Sequence, residues 1–206
     1  MAPVNVSIIY YSATGTVHTL AKAAAEGAEK AGATVRLRRV RETAPPEAYN
    51  SNPAWAKHIE DSADVEEAVI EDLAWADAVL FGTPTRFGNV AAQLKSFIDT
   101  AGPLWQQGKL ANKVCSAFTS TGTAHGGQES TILALSNTFY HWGGIIVPPG
   151  YTDPIQFQTG NPYGTSHVTG VGGSAGGPGE EVLQAARHQA RRVVDVAGAL
   201  KAGRPS

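Results

Sequence analysis

The stretch "SIIYYSATGTVHTLAKAAAEGAEKAG", Ser7 to Gly32, decides the fold. Its upstream part, Val4 to Tyr11, is apolar and β-branched, as a strand buried on both faces should be. Downstream, apolar residues recur at Val17, Leu20, Ala21, Ala24, Ala25 and Ala28. That spacing predicts a helix over Thr16 to Ala31 with one buried face, stopped by Gly32. Between the two lies Ser12-Ala13-Thr14-Gly15-Thr16, with three hydroxyls and no charge.

The rest of the chain repeats this strand-turn-helix unit. Thr34 to Val40 alternates and reads as a strand near a sheet edge, its arginines forming a solvated face. Glu42 to Ser62 is polar, with prolines at 45, 46 and 53, and reads as a long loop. Asp64 and Glu67 form a capping box for a short helix through Leu73. Asp77 to Phe81 is a strand, and Asn89 caps a helix through about Thr100. Lys113 to Ser120 is a strand, Gln128 to Trp142 a helix, and Ile145 to Pro148 a short strand. Pro149 to Gly179 is rich in Gly, Pro, Thr and Ser and reads as a second irregular segment. Glu180 to Lys201 is the last helix. Alternation of this kind predicts an α/β fold, a doubly wound five-stranded parallel sheet with helices on both faces.

Composition bounds the function. The chain has 206 residues, 42% hydrophobic and 17% charged, which suits a single folded domain over 1–206. A net charge of −2 speaks against a nucleic-acid binder, and also against a carrier that relies on a strongly acidic surface. The single cysteine, Cys115, lies in an apolar strand and excludes an internal disulfide or a cysteine-rich metal site. No leader-like amino terminus and no apolar run of ~18 residues is present, so a soluble cytoplasmic protein without membrane insertion or metal is expected.

In such sheets a ligand binds beyond the carboxyl ends of the strands. Three turns leave those ends: Ser12 to Val17, Gly82 to Asn89 and Ser120 to Gly127. All are rich in small or hydroxyl-bearing residues, which points to one shared ligand. A helix amino terminus flanked by hydroxyls suits a phosphate without a lysine, while ordinary Ser or Thr capping looks much the same. The P-loop and dinucleotide fingerprints are absent after the first strand. A relaxed glycine pattern at 170–175 is discounted, because neither a strand nor a helix is expected beside it. A monophosphate held by hydroxyls and amides points to FMN. Arg86 and the amides of Thr85 to Phe87 are candidate donors to the ring. Phe87, Trp105 and His141 are candidate walls.

Together "YYSATGTV", "GTPTRFGN", "GPLWQQGK", "TSTGTAHGGQE" and "HWGGIIVPPGY" resemble the WrbA family of NAD(P)H:quinone oxidoreductases over nearly the whole chain. The resemblance implies a flavodoxin-like fold, FMN, NADH or NADPH as co-substrate, a quinone substrate and a homotetramer. It implies that Ser12, Ala13, Thr14, Gly15, Thr16 and Val17 hold the phosphate. It implies ribityl and ring contacts from Thr85, Arg86 and Phe87, and a ring-edge loop of Ser120, Thr121, Gly122, Thr123, Ala124, His125 and Gly126. His141 becomes a further flavin contact, Trp105 a substrate residue, and Thr14 a nicotinamide-nucleotide contact. Two departures stand out. Thr14 replaces an aromatic residue of the best-known members, and the turn at 124–127 is one residue longer than a three-glycine version. The implied reaction is two-electron, ping-pong quinone reduction through the flavin. A flavodoxin-like electron carrier and a non-enzymatic regulatory binding protein are the alternatives.

Overall fold

A computed structural model describes residues 3–203. Five strands form the parallel sheet: β1 (Asn5–Tyr10), β2 (Thr34–Arg39), β3 (Ala78–Arg86), β5 (Val114–Thr121) and β6 (Ile145–Ile146), in the order β2-β1-β3-β5-β6. The order reverses between β1 and β3, and there the carboxyl ends of the strands open a crevice. Two short strands add to the expected five. β4 (Asn89–Val90) folds back antiparallel on β3, and β7 (Ser166–Val168) runs parallel to the end of β5.

Side-chain alternation sorts the core into two layers. Val6, Ile8 and Tyr10 of β1 face α1 (Thr16–Lys30) and α9 (Glu180–Gly203). Ile9, Val79 and Phe81 face α4 (Ile70–Trp75), α5 (Ala92–Asp99) and α7 (Gln128–Trp142). Helices α1 and α9 come so close that a Cβ on Gly27 would stand 2.4 Å from the carbonyl oxygen of Arg187. Cys115 is fully buried in the second layer, where burial pushes its thiol pKa up to about 12.

Several expectations are corrected. The segment 42–62 holds two helices, α2 (Pro46–Asn50) and α3 (Pro53–Asp61). Its prolines begin helices rather than break them, since a first-turn position needs no N–H, and the Asn52 side chain caps α3. The helix expected after Asp64 begins instead at Ile70, with Asp72 accepting from the Val69 amide at 3.1 Å. Asn89 caps nothing. It pairs with Arg86 across a hairpin, and Thr83 Oγ1 accepts the Ala91 amide at 3.0 Å where α5 begins. The segment 149–179 contains α8 (Ile155–Thr159) and β7, anchored where Gln189 Oε1 accepts the Thr165 amide at 2.8 Å. The short helix α6 (Gly102–Gln106) carries Trp105.

The arginines of β2 do not form a plain solvated face. Arg36 and Arg38 converge on Asp72, which is 1% exposed, at 3.0 and 3.3 Å, and Arg36 stacks 4.1 Å above the Trp75 ring centre. Removing one partner of a buried ion pair strands the others. Asp72→Asn is therefore expected to cost about 2–3 kcal/mol, the lower end because Arg36 keeps some water. Urea unfolding checks it. A midpoint change equivalent to less than about 1 kcal/mol would return both arginines to a surface role.

Candidate functional site

The carboxyl ends of β1, β3 and β5 open into one cavity of about 930 Å³. Ser12 to Val17 line its first wall. Gly15, at φ 95°, turns the chain from β1 into α1 in a conformation that a side chain would strain. No side chain caps α1. Ser12 Oγ accepts the Gly15 amide at 3.1 Å instead, and the first bond of the helix runs from Thr19 N to Gly15 O at 2.9 Å. The first-turn amides of Thr16, Val17 and His18 thus lack a side-chain acceptor. Among the described residues the hydroxyls of Thr14 and Thr16 have no protein partner, whereas Val17 is buried and offers only its backbone.

The second wall is Pro84, Thr85 and Arg86. Thr85 Oγ1 receives Thr131 Oγ1 at 2.7 Å and the Gly88 amide at 3.1 Å, so its hydroxyl ties this loop to α7. Arg86 is exposed at the rim, donating to the Thr85 carbonyl at 3.0 Å. Phe87, at φ 53°, is fully exposed on the hairpin tip and is not part of the cavity wall.

Ser120, Thr121 and Gly122 form the third wall, but Thr123, Ala124 and His125 turn outward and are exposed. Gln128 Nε2 holds this bend through the Ala124 carbonyl at 2.8 Å. A Cβ on Gly126 would lie 1.9 Å from Thr121 Oγ1, so the bend requires a glycine there. His141 and Trp105 lie outside this chain's cavity, both exposed, with Trp105 Nε1 donating to the His141 carbonyl at 2.8 Å. His141 lies in the last turn of the 15-residue α7, about 20 Å from the end beside the third wall.

Sequence reasoning missed two further walls. Trp55, His58 and Asp61 enter from α3, in the segment read as a loop, and His18 joins them from α1. Trp55 is fixed by Glu42, whose carboxylate accepts Trp55 Nε1 at 2.9 Å, Tyr11 Oη at 2.8 Å, Gln93 Nε2 at 2.8 Å and the Ala44 amide at 2.8 Å. Burial pushes the Glu42 pKa upward, but these donors outweigh it and hold the carboxyl below its usual range. The other wall is Thr169 to Pro178, laid over the cavity by β7. The glycine pattern discounted above lies here. A three-residue strand does precede it, and Gly170, Gly172 and Gly173 line the cavity. Only a 3₁₀ turn at 171–173 follows, not a helix, so it offers no dinucleotide fingerprint.

The donor set fits FMN. An uncapped helix start with free hydroxyls matches a terminal phosphate. Residues of the second and third walls border the same cavity, with Arg86 exposed at its rim. Among the described residues no group of three or more His, Cys, Asp or Glu could hold a metal, and no helix is long and apolar enough to cross a membrane.

Comparison with known proteins agrees with this geometry. Residues 5–156 match the family described as NADPH-dependent FMN reductase. An NAD(P)H dehydrogenase (quinone) of Deinococcus radiodurans is 48% identical over 97% of this chain and 98% of its own. One of Aromatoleum aromaticum is 44% identical over 97% and 99%. A solved structure described as a flavodoxin, WrbA-like protein, from Agrobacterium tumefaciens superposes with a TM-score of 0.66 at 26% identity, over 95% and 98% of the two chains. Flavodoxin 2 from Bacillus cereus, 16% identical over 96% and 99%, shares the fold with a TM-score of 0.60. With family match, whole-length relatives and fold in agreement, the chain belongs to the NADPH-dependent FMN reductase family and, within it, to the WrbA-like NAD(P)H dehydrogenases (quinone).

Proposed function

We propose that the protein binds FMN and moves two electrons from NADH or NADPH to a quinone, acting as a cytoplasmic homotetramer. The observation that carries this reading is the convergence of three strand-end loops on one cavity whose helix start has amides and hydroxyls but no capping side chain. The name of the whole-length relatives supports the reaction class.

Bound there, FMN supplies the two-electron chemistry that couples nicotinamide oxidation to quinone reduction. The chain supplies position and surroundings. Amides and hydroxyls of Ser12 to Val17 hold the phosphate. Thr85 and Ser120 to Gly122 border the ring, and Arg86 puts positive charge where negative charge collects at the ring edge. Trp55 and the 169–178 segment keep water out. Thr123 to Gly126 border the mouth through which both substrates enter, where Thr14 also meets the nicotinamide nucleotide. Trp105 and His141 come to the site from a neighbouring chain. A quinone's oxygens can take protons from water or a histidine, so no dedicated acid is required.

One mouth used by both substrates in turn implies ping-pong kinetics. NADPH oxidation at several benzoquinone concentrations is expected to give parallel double-reciprocal lines. Intersecting lines would mean that both substrates are held together. No steady oxidation of either nucleotide by the FMN-loaded protein would favour an electron carrier instead.

A further inference from the structure

The phosphate turn has no lysine or arginine in it, yet two histidines stand beside it. His58 is 8% exposed and lines the cavity. A Cβ on Gly15 would lie 3.5 Å from His58 Nδ1, so the imidazole lies within contact distance of the turn. Neither ring nitrogen of His58 has a hydrogen-bond partner among the described residues. Its ring lies tilted by 59° against that of His18, with centroids 5.4 Å apart. Behind His18, the buried phenol of Tyr10 is held protonated and lies 2.5 Å from His18 Nδ1. Tyr10 therefore donates to His18, which leaves His18 Nε2 as a neutral N–H donor and His58 as the ring free to change charge.

We propose that His58, positioned by His18, is the cation of the phosphate turn: it takes up one proton from solvent as a phosphate monoester dianion seats on the amino end of α1, so that cofactor binding is proton-linked. This rests on the assignment of the turn as the phosphate site. No bond other than that N–H forms or breaks.

The surrounding charges agree in sign. In the protein alone, burial comes first, followed by repulsion from His18 on α1 once that ring is also protonated in acid, with Arg39 on β2 adding to it; together they push the His58 pKa down to about 4, with Asp61 on α3 opposing. His18 is likewise lowered, by burial and Lys22, against Asp64 in the turn after α3. A neutral His58 therefore waits at neutral pH. A dianion a few ångströms away reverses the balance and raises the pKa by roughly 2–3 units, the upper part of the range for one close opposite charge. Proton uptake then occurs between about 4 and that raised value, and affinity rises as pH falls through this window.

The test is a titration of apoprotein with FMN and with riboflavin between pH 5.5 and 8.5, followed by flavin fluorescence. FMN affinity is expected to rise roughly two- to tenfold from pH 8.5 to 6 in the wild type, relative to His58→Gln. Riboflavin affinity should stay flat in both. Calorimetry of FMN binding in two buffers of different ionisation enthalpy should show more proton uptake by the wild type than by the variant. His58→Arg, a fixed cation at the same place, should bind FMN tightly with the His58-dependent slope removed, which also controls for folding. Equal pH dependence in wild type and His58→Gln overturns the proposal. FMN and riboflavin binding alike at every pH would instead overturn the phosphate assignment beneath it.

Discussion

Stripped of flavin, the protein is expected to bind FMN at least a hundredfold more tightly than riboflavin. The two ligands differ only in the terminal phosphate. Its proposed seat offers the first-turn amides of α1, which lack a side-chain cap, and the unpartnered hydroxyls of Thr14 and Thr16. Hydrogen bonds to a charged group contribute about 1.5–3 kcal/mol each, and the helix dipole adds up to about 1 kcal/mol. Desolvating a dianion offsets much of that sum. A remainder of about 3–4 kcal/mol corresponds to a hundred- to thousandfold preference. FAD should gain much less, because its two phosphates form a pyrophosphate bridge within the molecule and offer no free terminal dianion. Fluorescence titration of apoprotein with the three flavins measures this at one pH. Equal affinity for FMN and riboflavin would remove the turn from the cofactor site and return Ser12, Thr14 and Thr16 to ordinary turn chemistry.

The parts of the fold that could be read in advance are those where local pattern and burial agree. β1, α1, β5, α7 and α9 follow from runs of apolar residues at period two or 3.6, and their order forces parallel pairing. What was misread lies where one residue type has two meanings. Pro46 and Pro53 look like breakers and are helix starters, and only Asn52, capping α3, hints at it. Arg36 and Arg38 look solvated because their partner, Asp72, is distant in sequence. The cavity shows the same division. The three strand-end turns were visible as clusters of small and hydroxyl residues. Trp55, His58 and the 169–178 wall were not, since they reach the cavity through tertiary anchors such as Glu42 and Gln189 that no local pattern announces. Within the long 149–179 segment, Thr169 to Pro178 cover the chain's own cavity, while Tyr151, Phe157 and Tyr163 remain exposed.

Mixed oligomers of two impaired chains are expected to turn over quinone faster than the sum of the two parents. Trp105 is 54% exposed, yet its indole is fixed by the His141 carbonyl at 2.8 Å. An exposed tryptophan held in one orientation, remote from its own chain's cavity, is suited to acting on another molecule. Apolar surface surrounds that role: Leu133 and Tyr140 stand seven residues apart on one face of α7, and Phe87 is fully exposed. Burying what remains exposed of each would contribute roughly 1–3 kcal/mol, which favours assembly over a free monomer. In a closed symmetric tetramer each chain would receive its neighbour's Trp105. Trp105→Ala then keeps the cofactor site but loses the substrate wall, whereas Gly15→Val, strained at φ 95°, loses the cofactor site and keeps Trp105. Trp105→Ala should lower kcat/KM about ten- to hundredfold, as loss of an aromatic platform worth about 1.4–2.8 kcal/mol requires. Gly15→Val should bind no FMN. Co-expressed and purified as hetero-oligomers through two different tags, the pair should exceed the sum of the separate parents at equal flavin content. Native mass spectrometry establishes that both chains are present. Hetero-oligomers no more active than that sum, or wild-type monomers retaining full turnover after dilution in excess FMN, would place every substrate contact within one chain.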